Sequence, residues 1–544
     1  MKTLEQIKVI FNRYPSLSFV VLAFVTSLLA YWPSFSVPFY LDDRTSLVEN
    51  PLLIDGSLSQ LWQVYGMRFI GYLSFWLNVQ VSELSPLGFH LTNYAIHLLN
   101  GLLIFTIAKQ LLKHFAEGWS LRRQHLFAAT VALIWLLHPL NTQAVTYIVQ
   151  RLASLVTLFY LAALFCYLKC RYENKKIIWS VLFLISCLLG LLTKQNFIVL
   201  FAFIVIYELI YAEQVIKKWL LVSFASAFVA LAIAYPFIPH LIEMISGMTK
   251  ETESISRYDY FVTQTLVLWE YILKFFIPYP LQLDMGVDIA KTSSGVHFAA
   301  LLGHLALILS ALFAAKRLPL FTVGIILFYT GHSVESFIIP ITDLAFEHRT
   351  YLPNIGLTLA VCSLFFYISD TKQDKSDKQL SVAIVLICGV LAVMTFQRNT
   401  QWQNPHTFAE LEYHLEPESP RAMTSYALEL VKVGDLPQAE KLLLRAVNLN
   451  MQKGKLTVTS INNLMLLLFN QGKYQSAVNT GMMALKHIKR PNDRSLTLSN
   501  IAYGYIKMGY CDFAIGLTRK AINLDEHNKN ARDYLKHCLS LKPQ

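Results

Sequence analysis

Apolar residues in this chain come in long unbroken runs, not in the alternating or helical-stripe patterns of a soluble core. The runs fall near 17–35, 90–112, 125–138, 151–170, 177–192, 195–212, 218–238, 260–278, 297–316, 319–338, 351–369 and 379–396. A helix crosses a bilayer in about 20 apolar residues, so the pattern predicts an all-α, polytopic membrane bundle of about 11–13 spans. The first run lacks the small-residue cleavage site of a signal peptide and reads as an uncleaved anchor.

Basic residues in the short loops set the orientation. Lys2/Lys8/Arg13, Lys109/Lys113/Arg122/Arg123, Lys169/Arg171/Lys175/Lys176, Lys217/Lys218, Lys316/Arg317 and Lys372/Lys375/Lys378 can share one face if the N-terminus is cytoplasmic and the number of crossings is odd. The run 260–278 carries Glu270 and Lys274, costly at the centre of a bilayer, so it is expected to lie at the outer face or re-enter. The C-terminal region then lies outside.

That region repeats. Gly434, Gly472 and Gly509 recur at intervals of 38 and 37, each followed five residues later by Ala439, Ala477 or Ala514. Glycine at a turn and alanine at a close helix contact, at this period, predict a tetratricopeptide-like α-solenoid. Its units are expected near 421–450, 458–488 and 494–525, with a capping helix near 528–541. The domain plan is a membrane domain over 1–397 with a first outer loop at 36–89, a linker at 398–419, and a repeat domain over 420–544.

Composition agrees: 55% hydrophobic and 15% charged residues exclude an ordinary soluble protein. The formal charge of +11 comes largely from the repeat region, which suits anionic lipid headgroups or an acidic polypeptide. Nucleic acid is not expected as a partner, since no basic patch interleaved with aromatics appears. Of the seven cysteines, Cys511 and Cys538 fall in the repeats and could meet, but the balance is against a disulfide. No zinc spacing, phosphate loop or nucleophile elbow is present.

Chemistry must come from polar groups beside the spans. Asp42 and Asp43 leave the first span as an adjacent carboxylate pair. His90, Asn93, His97 and Asn100 share one helical stripe, either as interhelical hydrogen-bond partners or as the lining of a polar cavity. His138 and Asn141 end the third span, followed by Tyr147, Gln150 and Arg151; Arg151 reads as a snorkelling side chain or a site residue. Lys194 interrupts two spans, and Glu347, His348, Arg349 and Tyr351 enter another. Lys194, His348, Arg349 and Arg151 could converge as an anion site.

Phe39-Tyr40-Leu41-Asp42-Asp43 to Glu49-Asn50, Gly88 to Asn100, His138-Pro139-Leu140-Asn141 to Arg151, Leu192-Thr193-Lys194, and Glu347-His348-Arg349 to Pro353 resemble, in order, the transmembrane-and-tetratricopeptide O-mannosyltransferases and their bacterial relatives, which are GT-C-type glycosyltransferases. The resemblance implies transfer of a sugar from a polyprenyl-phosphate donor to a hydroxyl acceptor outside the cytoplasm. Asp42 or Asp43 would be the base, and Lys194, Arg349, His348 and Arg151 would hold the donor phosphate. His90, Asn93, His138, Asn141, Tyr147, Gln150, Glu347 and Tyr351 would line the sugar and acceptor pocket. Gln143 and Gln195 stand where such relatives often carry Glu, so mannose itself is not carried over. No cofactor is implied, and the balance is against a divalent metal at Asp42, Asp43 and His90.

The expected acceptor is a secreted or surface protein, such as a pilin-like subunit, delivered through the repeat groove at a bacterial inner membrane. The alternatives are a GT-C enzyme acting on a glycolipid or surface polymer, or a non-enzymatic scaffold or transporter. The orientation is testable: a compartment-specific reporter fused after residue 420 is expected to be active only in the periplasm, and cytoplasmic activity would overturn it.

Overall fold

The computed structural model describes residues 15–213, 255–290, 294–338, 340–341, 343–369, 373–452, 458–488 and 490–541. The expected span 218–238 lies outside them. The chain divides into two compact units, Met1–Gln403 and Asn404–Gln544.

Among the described residues of the first unit, six helices are long and apolar enough to cross a membrane: Pro15–Ser36, Pro86–Phe115, Ile148–Tyr172, Gly295–Ala314, Pro319–Phe337 and Gln379–Gln401. A bent pair, Leu121–Leu136 with Pro139–Thr146, makes a seventh if its 53° break is one span. Lys176–Leu191, Gln195–Tyr211 and Pro353–Ile368 are apolar but shorter. Most of the expected run 260–278 falls in the helix Arg257–Phe276, which is not among the long apolar ones. Its buried face braces the strand of chain ahead of Glu347: Gln264 Nε2 donates to the Leu344 carbonyl at 2.8 Å, and Tyr271 Oη accepts from Phe346 N at 3.0 Å.

The Pro86–Phe115 helix is the axis of this unit. Its polar stripe acts as hydrogen-bond partner to other elements. His90 Nε2 donates to the Val37 carbonyl at 2.8 Å, Asn93 Nδ2 to Val145 at 2.9 Å, His97 Nε2 to Leu136 at 3.0 Å and Asn100 Nδ2 to Ser154 at 3.0 Å. Val37, Leu136 and Val145 all lie at helix ends or breaks, where carbonyls have no intrahelical partner.

Elsewhere small residues bring backbones together. A Cβ on Gly324 would lie 2.5 Å from the Gly356 carbonyl oxygen, and one on Gly356 would lie 2.3 Å from that of Gly324. Between the first two spans, residues 51–82 form three short helices around a cluster of Leu47, Leu53, Leu61, Phe75, Val79, Phe89 and Ile148.

The second unit is an array of helix pairs: Pro420–Val433 with Leu436–Gln452, Val458–Asn470 with Tyr474–Leu485, and Pro491–Lys507 with Cys511–Leu524, closed by Lys529–Ser540. Gly434, Gly472 and Gly509 have φ of +88°, +74° and +86°, the left-handed conformation that ends the first helix of each pair. Ala439, Ala477 and Ala514 are fully buried. Residues 398–419 are not a plain linker. One long helix runs on to Gln401, and Pro405–Leu415 forms another, capped by Asn404, that packs on the first repeat. Cys511 and Cys538 share a small cluster with both thiols free.

Because both glycines face backbone, Gly356→Val is expected to force two helices apart and destabilise the bundle by about 1–3 kcal/mol or more, read as a lowered melting temperature in detergent; an unchanged melting temperature would contradict the close approach.

Candidate active site

Asp42 and Asp43 are adjacent in sequence and opposite in environment. The turn that carries them begins at Leu41, whose φ of +32° is unusual for a branched side chain. Asp43 is buried: Oδ2 accepts from Tyr40 N at 3.0 Å and Oδ1 from Val149 N at 2.7 Å. Its carboxylate thus ties the segment after the first span to the residues that begin the Ile148–Tyr172 helix. Burial pushes the Asp43 carboxyl up to about 7, against the lowering effect of those two N–H groups. Asp42 is exposed, and its carboxylate makes no hydrogen bond or ion pair among the described residues. Only its backbone is held, through Asp42 N donating to Tyr147 Oη at 3.0 Å. Tyr147 stacks on Trp402, with ring centroids 5.9 Å apart.

The break after Leu136 is fixed by its own polar residues. His138 Nε2 donates to the Phe275 carbonyl at 2.9 Å while Nδ1 accepts from Leu140 N at 3.3 Å, and Asn141 Nδ2 donates to Trp135 at 2.7 Å. Both side chains are buried and engaged with backbone. Gln143 then bridges to the 347–350 turn. Its Nε2 donates to Leu283, and its Oε1 accepts from His348 N at 2.6 Å and from His348 Nδ1 at 3.0 Å. Glu347 accepts from Gln282 N and lies 3.9 Å from Arg398, and Tyr351 Oη joins His97 to Asn100. Gln150 is half-buried.

The expected anion site divides. Arg151 is fully buried and committed elsewhere: Nε donates to Asn93 at 2.5 Å, Nη1 to the Ser74 carbonyl at 3.0 Å and Nη2 to Phe89 at 3.1 Å, with the guanidinium over the Phe75 ring at 4.5 Å. It is a packed strut, neither snorkelling nor presented to a ligand. Lys194 and Arg349 do meet, across a residue that sequence reasoning missed. Glu335 Oε1 lies 2.8 Å from Lys194 Nζ and Oε2 lies 3.8 Å from Arg349 Nε. Arg349 also donates to the Leu344 and Asp343 carbonyls. His348 stands beside them as a neutral imidazole: burial, then the charge of Lys194, push it down to about 3 in spite of Glu335. It is therefore no cation here. With Nδ1 donating to Gln143, its Nε2 is left as an acceptor. The signal for Glu335 was a lone carboxylate in an apolar run, which asks for a partner.

Among the described residues, no three His, Cys, Asp or Glu side chains gather as a metal site would require.

The fold defines a multi-pass membrane protein with a C-terminal helical repeat array. Its similarity is to proteins named protein O-mannosyl-transferases. F38B6.6 of Caenorhabditis elegans is 28% identical over 186 residues, which is 31% of this chain and 25% of that protein. TMTC3 of Mus musculus is 27% identical over 220 residues, 37% of this chain and 23% of that protein. Tmtc3 of Drosophila melanogaster is 27% identical over 220 residues, 35% and 24%. The chain thus spans about a quarter of the length of the curated relatives it matches. No family model matches it.

Asp43→Asn sets an amide N–H₂ against one of two buried backbone N–H groups and is expected to cost about 1–3 kcal/mol of stability, whereas Asp42→Asn should leave the melting temperature unchanged. The folded-state value of Asp43, about 7, lies above that of a free carboxyl. The folded protein therefore keeps this proton where the unfolded chain has lost it, and the stabilisation is lost as pH rises through 7. The stability gap between wild type and Asp43→Asn should accordingly narrow from pH 5 to pH 8; a gap that widens would contradict the burial argument.

Proposed function

We propose that this protein is a glycosyltransferase that moves a sugar from a polyprenyl-phosphate donor to a hydroxyl of a protein acceptor. The observation that carries the reading is the division of labour in the carboxylate pair. Asp43 spends both oxygens holding the turn, and Asp42, on the same turn, keeps both free of partners among the described residues. Asp42 is the acceptor base, and Asp43 positions it.

A hydroxyl is far too weak an acid to ionise first, so the proton passes to Asp42 as the new C–O bond forms at the anomeric carbon. The bond from that carbon to the phosphate oxygen breaks in the same event, and the donor leaves as polyprenyl phosphate. Lys194 supports this departure: its ammonium is partly exposed and has donors beyond the one given to Glu335. Arg349 contributes charge, with Nη1 and Nη2 given to the Leu344 and Asp343 carbonyls and Nε 3.8 Å from Glu335. The names of the similar proteins support sugar transfer to protein. On the orientation read from loop charges the site and the repeats lie outside the cytoplasm, and the short loops and about three repeat units favour a bacterial inner membrane. The acceptor is then a secreted or surface protein, pilin-like in class, offered by the repeat groove.

The test is the intact mass of secreted and surface proteins from cells carrying wild type or Asp42→Asn. A sugar-sized mass on one protein should disappear in the variant, with transfer falling about 10²–10⁴-fold; identical profiles would overturn the role of Asp42.

A further inference from the structure

Glu335 has no part in the mechanism so far, yet it is the residue around which both cations of the site are arranged. It lies on the π-helical turn Val334–Ile338, which ends the Pro319–Ser333 helix. Such turns recur at functional positions because they re-aim a side chain at the cost of regular hydrogen bonding. Its carboxylate is mostly buried between Lys194 and Arg349. The turn is held from the other side by Tyr260, whose hydroxyl donates to the Glu335 carbonyl. On the same stretch His332 Nε2 and Ser336 Oγ are buried without a hydrogen-bond partner among the described residues, polar capacity beyond what the ion pairs use.

We infer that Glu335 sets the charge of the phosphate site, and that by cancelling one of two cations it selects a lipid donor carrying a single phosphate over one carrying a diphosphate. This rests on the polyprenyl-linked donor proposed above. Lys194 and Arg349 bring two positive charges and Glu335 removes one; His348, neutral, adds none. Asp343 is partly exposed and lends Arg349 its backbone carbonyl. The single surplus charge matches a sugar phosphodiester, which carries one negative charge. A diphosphate-linked donor carries two and would leave one uncompensated where water is scarce and charges interact strongly.

Glu335 is thus a specificity-determining residue for the donor headgroup. It also lets Lys194 and Arg349 lie close to one another, since two unpaired cations side by side would repel.

The test uses the purified full-length protein in detergent with two synthetic probes, a short-chain isoprenyl phosphate-linked sugar and its diphosphate-linked counterpart, and reads the ratio of their dissociation constants. Wild type should favour the monophosphate. Glu335→Gln should move the ratio toward the diphosphate by about tenfold, while Glu335→Asp, which keeps the charge, should retain the wild-type preference. Lys194→Gln removes a cation and should steepen the monophosphate preference, so the inference stays testable should Glu335→Gln fail to fold. A ratio unchanged in a folded Glu335→Gln or Lys194→Gln protein would overturn the role of Glu335 and leave the donor reading standing. Wild type binding neither probe would overturn both.

Discussion

A bundle built from broken helices in an apolar medium must satisfy from side chains the backbone groups that its breaks set free. In this protein one helix supplies four such side chains. His90, Asn93, His97 and Asn100 of Pro86–Phe115 each donate to a carbonyl on another element, three of them at a helix end or break. Asn93 also accepts from Arg151, which in turn reaches Ser74 and Phe89. The same stripe therefore fixes the first span, the bent third span and the short helices of residues 51–82 against one another.

The candidate site is a consequence of that framework. Breaking the third span at His138 places Tyr147 and Val149 where they can hold Asp42 and Asp43 by the backbone and the carboxylate respectively. Gln143, in the same break, positions His348. A carboxylate fully engaged by N–H groups beside one left free is an arrangement that separates holding from reacting. In the ion group of Lys194, Glu335 and Arg349, the arginine gives Nη1 and Nη2 to the Leu344 and Asp343 carbonyls, while Lys194 gives one donor to Glu335.

How much of this could be read from the sequence depends on whether the signal was local. The Gly and Ala periodicity of the repeats was legible because each glycine adopts φ > 0 and each alanine is buried for reasons confined to one helix pair. The stripe on Pro86–Phe115 was legible as a stripe, though not its role, because the carbonyls it serves lie up to 55 residues away. Asp42 and Asp43 were indistinguishable for the same reason: what separates them is the Val149 N–H, 106 residues downstream. Arg151 looked like a candidate ligand because its partners are scattered over Ser74, Phe89 and Asn93. Glu335 is hidden inside an apolar run, and the membrane unit extends six residues past the expected 397 because the last long helix continues through polar residues to Gln401.

The central claim, that the free carboxylate of the pair does the chemistry and its neighbour holds it in place, is tested most directly by transfer in vitro. Purified full-length protein would be given a short-chain polyprenyl phosphate-linked labelled sugar and a Ser/Thr-containing peptide, and labelled peptide measured for wild type and Asp42→Asn under conditions where both bind donor equally. The account predicts labelled peptide from wild type and a loss of at least about a hundredfold in Asp42→Asn. Equal transfer by the two proteins would contradict it.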